Sequence, residues 1–149
     1  MEVAKKFVIS EWDESAKQRL LSFWQDRKIK FLKIEENEFS GKRGSFLGNC
    51  FSFNMINLMT ELTIVKDEQD VITCTLKIDT SMQIITDWNK EYWELEIKTF
   101  ESVLVRNNFR EHKWKEFNKR SKKSDLMLVL KIILLSLAFG LILVIFDIT

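Results

Sequence analysis

The sequence predicts an α+β domain carried on one C-terminal membrane span. Three observations lead there: several short stretches alternate apolar and polar residues, two longer stretches repeat apolar residues at helical spacing, and the chain closes on LMLVLKIILLSLAFGLILVIFDIT. The boundaries fall at 1–105 for the domain, 106–125 for a basic, aromatic juxtamembrane segment and 126–147 for the span. The front part holds one core at most. With 12 Phe and 5 Trp in the chain and no proline, large apolar side chains can fill that core.

The elements follow in order. VAKKFVIS (3–10) alternates and predicts a strand. SEWDESAKQRLLSFWQDRK then places Trp12, Ala16, Leu20, Phe23 and Trp24 on one helical face. Ser10 or Asp13 can cap that helix, and Arg27 and Lys28 close its last turn. IKFLKIEE (29–36) is rich in strand formers, and SFLGNCFSF (45–53) predicts a third strand with Phe51 and Phe53 on one face. ELTIVKDEQDVITCTLKIDT is the clearest hairpin: Leu62 and Ile64 alternate with polar neighbours, KDEQD turns, and Ile72, Cys74, Leu76 and Ile78 alternate again. DWNKEYWELEIKTFESVLV (87–105) repeats Trp93, Ile97, Phe100 and Leu104 as an amphipathic helix that Thr86 or Asp87 can cap. The expected order is β-α-β-β-β-β-α: a curved antiparallel sheet of about five strands, two helices on its apolar face, the other face wet. The second helix either breaks at Asn107-Asn108 or continues into the span.

The tail has the length of a membrane crossing. Leu126 to Phe146 is 21 residues with one charge, Lys131. At ~1.5 Å per residue that covers roughly 30 Å, the thickness of a hydrocarbon core. A helix buried in a soluble core would be shorter and would keep a polar face. A cleaved leader is excluded by position. A lipid-anchor signal needs a polar spacer with small residues, where this chain has KRSKKSD. Lys131 lies near one end of the span, so its stem can carry the ammonium to the interface.

Orientation comes from the flank. Residues 106–123 hold eight Lys/Arg and two Glu, a net +6 in a chain whose total is +1. Basic residues next to a span stay on the cytoplasmic side. The domain is therefore expected in the cytoplasm, with the C-terminus across the membrane, as in a tail-anchored protein. Arg110, Lys113, Trp114, Lys115, Phe117, Lys119, Arg120, Lys122 and Lys123 form a candidate membrane surface that suits anionic lipid. The same run is short for nucleic acid and adjoins a bilayer, which argues against that partner.

Motifs with specific chemistry are few. FSGKRGSFLGN gathers Gly41, Gly44 and Gly48, and Lys42 with Arg43 forms a candidate anion contact. The spacing is not that of a P-loop, and a hairpin turn explains the glycines better. Cys50 and Cys74 stand 24 apart with no histidine near them, and the single histidine, His112, lies in the flank. That pattern calls for no metal, cofactor or catalytic triad, and no enzyme is expected. Glu35-Glu36 and Asp67-Glu68 read as solvated turns. Ser136 and Gly140 share a helical face and are candidates for helix–helix packing in the span. Trp88, Tyr92 and Trp93 cannot all enter one core, which makes them candidates for a partner or pocket surface. The expected function is a protein-interaction, adaptor or complex-subunit module held at the membrane, binding a protein partner or its own copy. The alternative is a tethered ligand or lipid sensor with an apolar pocket between the sheet and the C-terminal helix.

Overall fold

The computed structural model describes residues 1–51, 55–81, 85 and 87–106, together with Lys119, Ile133 and Ser136. Its elements are β1 (Glu2–Val8), α1 (Glu14–Gln25), β2 (Lys30–Ile34), β3 (Glu38–Arg43), the two-turn helix α2 (Phe46–Phe51), a 3₁₀ turn (Met55–Asn57), β4 (Thr60–Lys66), β5 (Val71–Ile78) and α3 (Asp87–Arg106). The five strands form one open antiparallel sheet in the order β1-β5-β4-β3-β2. β2 to β5 run as a meander. β1 and β2 are the two edges, so α1, which joins them, crosses the face of the sheet.

Alternation decides which side is covered. Phe7, Phe39, Leu62, Ile64, Ile72, Cys74 and Leu76 point inward and are buried. Trp24, Trp93 and Phe100, from the two helices, close over them at 0% exposure. Phe100 packs against Phe7, Phe23 and Trp24 with ring centroids 5.8, 5.3 and 5.2 Å away. The other face carries no helix among the described residues. It presents cross-strand rows such as Glu2–Lys77–Glu61–Lys42 and Ala4–Thr75–Thr63–Ser40.

The ends of α1 show local chemistry at work. Asp13 caps it, accepting from the Ala16 amide at 2.7 Å. The other end closes differently from expectation. Ile29 N donates to Trp24 O at 3.0 Å and Lys28 N to Gln25 O at 2.8 Å, a Schellman motif. Lys28 occupies its left-handed position with φ 64°. Arg27 does not line a solvated last turn but is buried at 0% exposure.

One strand is misplaced by the sequence reading. Residues 46–51 form α2, and the third strand is β3, which contains the Gly41–Arg43 stretch expected as a turn. The turn between β2 and β3 lies at 35–37, where the Glu35 amide donates to Glu38 O at 2.9 Å. The hairpin of β4 and β5 and the long helix α3 stand where alternation and helical spacing put them.

α3 runs alongside β1 in the same direction: Glu94 lies beside Val3, and Glu101 pairs with Lys5. It therefore starts at the end of the sheet where β1 begins and β5 finishes, and it leaves at the opposite end, by the β4–β5 turn. No helix among the described residues is long and apolar enough to cross a membrane. The expected span, 126–147, lies outside the described residues apart from Ile133 and Ser136, as does any break at Asn107-Asn108.

Candidate functional site

Two features meet at the end of the sheet where α3 begins. One is a buried ionic cluster and the other is an exposed apolar patch beside a cleft. The cluster joins three elements. Arg43, the last residue of β3, sends both terminal nitrogens to Glu96 on α3, at 2.6 and 2.7 Å. Arg27, just past α1, places Nε 3.8 Å from the same carboxylate. Its guanidinium carbon lies 3.5 Å from the Phe23 ring centre, and Nη1 donates to Phe23 O at 3.0 Å. Arg43 Nη1 also donates to Arg27 O at 3.3 Å.

Burial and charge compete at each member. Loss of water draws Arg27 down to about 10, against the pull of Glu96. Burial also acts downward on Arg43, but the charge of Glu96 and its hydrogen bonds outweigh it and hold Arg43 above its ordinary value. Burial pushes the Cys74 thiol well up, and Glu96 adds to it. Tyr92, one helical turn before Glu96, bears on both arginines. Both oxygens of Glu96 accept from Arg43 and the side chain is 0% exposed, so the carboxylate is closed to a substrate in this geometry. The cluster is a lock between β3, α1 and α3, and its chemistry is structural.

The patch forms around α2. Phe46 and Leu47 are 65% and 66% exposed, while Met1 and Met59 stand out at 37% and 41%. Met1, Met59 and Gly44 line a cleft of about 710 Å³. Glu2, Lys42, Glu61, Lys77 and Asp79 supply its charges, and Arg43 forms part of its wall. Buried Asn49 fixes α2 to the sheet: Nδ2 donates to Asp79 O at 3.2 Å and Oδ1 accepts from the Met59 amide at 2.7 Å. Hydrogen bonds from the Ser81 amide and then its hydroxyl hold the Asp79 carboxyl below its ordinary value.

The glycines explain themselves here. A Cβ on Gly44, which has φ +79°, would sit 2.1 Å from Leu58 O, and one on Gly48 would sit 2.1 Å from Asn57 O. Both admit the chain's own backbone rather than a phosphate. Ser45 N already donates to Asn57 O, and Gly48 N to Ser45 Oγ.

The expected site residues separate. Lys42 is exposed on the helix-free face and Arg43 is buried beneath it, so the two do not converge on one anion. Tyr92 and Trp93 are core residues at 1% and 0% exposure, because α3 packs both against the sheet. Trp88 falls in the first turn of α3. Lys119 and Ser136 are helical and exposed. Arg110, Lys113, Trp114, Lys115, Phe117, Arg120, Lys122, Lys123 and Gly140 lie outside the described residues. No group of three His, Cys, Asp or Glu among the described residues is placed to hold a metal ion.

Sequence reasoning missed Arg27 and Glu96. A signal was present: Glu96 stands four residues after Tyr92 and four before Phe100, an acid within the apolar stripe of α3. Such an acid demands a buried cation. No protein-family model matches the chain, and comparison with curated proteins and with solved structures returned no match.

Proposed function

We propose that the domain is a non-enzymatic protein-docking module held at a membrane by its C-terminal tail. The observation that carries this is the exposed apolar pair Phe46 and Leu47 on α2, a helix that Asn49 ties to Met59 at the rim of the cleft. Two adjacent, two-thirds-exposed large side chains on a helix fixed by a buried asparagine form a rigid apolar surface. Such surfaces mark interaction sites. The patch lies at the end of the domain away from the exit of α3, so a tail-anchored chain would present it away from the bilayer. The basic segment of 106–125 would sit on anionic lipid and the span of 126–147 would cross it, with the domain cytoplasmic. The sensor reading has less support: the space between the sheet and α3 is filled by Trp24, Trp93, Ile97 and Phe100.

The test uses the full chain in its own membranes, with a photoreactive residue at Leu47. A crosslink to one protein, lost on Phe46→Asp and absent from the same probe at Thr63, is the expected result. Equal crosslinking from Leu47 and Thr63 would remove the docking reading. Anchoring is checked separately: the full chain should resist alkaline extraction, and truncation after Val105 should release it. A truncated chain that still resists extraction would count against the tail as anchor.

A further inference from the structure

The edges of the sheet are treated differently. β2 is five residues long, interrupted by a bulge between Phe31 and Lys33, and lined with Lys30 and Lys33. These are the features that block further strand pairing. β1 has seven residues in unbroken register with β5 and no bulge. The bonding pattern shows which of its groups are free among the described residues. Met1 and Ile78 exchange both main-chain bonds, each at 2.8 Å, and Ile9 N donates to Asp70 O. Alternation then turns Val3, Lys5 and Phe7 toward β5, and turns the N–H and C=O of Glu2, Ala4, Lys6 and Val8 outward. All four of those residues are exposed. α3 does not close the edge: a groove of about 190 Å³ remains between Val3, Ala4 and Lys5 on one side and Glu94, Ile97 and Lys98 on the other.

We propose that this edge is occupied by β1 of a second copy of the chain, antiparallel, joining two sheets into one. The charges specify the occupant and its register. Outward-bonding residues must oppose one another. With Ala4 opposite Ala4 of the second copy, Glu2 of each copy stands opposite Lys6 of the other, twice per dimer. A slip by two residues one way puts Glu2 against Val8 and Ala4 against Lys6; a slip the other way puts Glu2 against Ala4. A further slip sets Lys6 against Lys6. Only one register pairs the charges. The inward Lys5, which would otherwise protect the edge, is already neutralised by Glu101. The interface shares Glu2 with the cleft beside the α2 patch, but its probes at Ala4 and Lys6 lie outside that cleft and those of the patch at Phe46 and Leu47 lie outside β1, so each can fail without the other.

The experiment uses the full chain in lipid vesicles, in a Cys50→Ser background because Cys50 is a half-buried free thiol. Opposed residues of a bonded antiparallel pair lie about 5.5 Å apart at Cα. Ala4→Cys should therefore be joined to its copy by a short bis-maleimide, several-fold more than Lys42→Cys on the helix-free face. Glu2→Lys should weaken this crosslink roughly tenfold by setting like charges opposite each other, as should Lys6→Glu. The double variant Glu2→Lys/Lys6→Glu should restore it, since the pairs re-form with their signs reversed. Equal yields from Ala4→Cys and Lys42→Cys would overturn the proposal, even for a chain that is dimeric through another surface. So would a double variant as weak as the single ones.

Discussion

Glu96 is the residue on which the interior turns. Its carboxylate neutralises one of two buried arginines and shares its charge with the second. Removing one member of a buried ion cluster strands the others without water, at a cost of roughly 3–5 kcal/mol. A domain of this size has only about 5–15 kcal/mol in total. Glu96→Gln should therefore lower the urea midpoint severely. Replacing Arg27, Arg43 and Glu96 together by leucine should be milder, because no charge is then left buried; a triple variant worse than Glu96→Gln would refute this account. Cys74 predicts a pH effect. Its folded pKa lies above that of the unfolded thiol, near 9.0, so the folded state keeps its proton longer. The contribution is intact below pH 9 and is lost as pH rises further, at up to about 1.4 kcal/mol per pH unit. In urea titrations from pH 8 to 11, the stability difference between the native chain and Cys74→Ala should fall with this slope, because Arg27, which titrates near 10, contributes equally to both.

At the scale of elements, α1 is held by Asp13 and ends on a lysine in a glycine position. Lys28→Gly should raise stability by up to about 1 kcal/mol, visible as a higher thermal midpoint. At α2 the sign reverses: Gly48→Ala drives a Cβ into Asn57 O and should cost about 1–3 kcal/mol. The same segment shows where the sequence was readable. β4, β5 and α3 carry long, uninterrupted periodicity, and their single-sided burial follows from it. β3 does not: EFSGKR holds one large apolar residue, Phe39, and its inward positions are completed by Gly41 and Arg43. An arginine in a core position reads as surface until the acid that meets it is known, and that acid is 53 residues away. Conversely, FLGNCF has a strand's composition, and its helical form comes from tertiary contacts, chiefly those of Asn49. The exposed Phe46 and Leu47 could not be told from core residues without the fold.

For the whole molecule, the amide hydrogens of β1 report its edge. In a monomer, those of Val3, Lys5 and Phe7 should exchange slowly and those of Glu2, Ala4, Lys6 and Val8 quickly. In the proposed dimer both sets should be protected. Fast exchange of the even-numbered set at concentrations where the chain is dimeric would place the interface elsewhere. The direction of α3 has a mechanical consequence. Tension applied between α2 and the tail pulls α3 along its own axis, against β1 and the sheet beside it. The Lys5–Glu101 pair, the rings around Phe100 and the Arg43–Glu96 fork are then loaded together, and all must slide before any one gives way. Pulled crosswise at β1, the same domain would peel one contact at a time. The domain should therefore resist force along α3 better than force across β1.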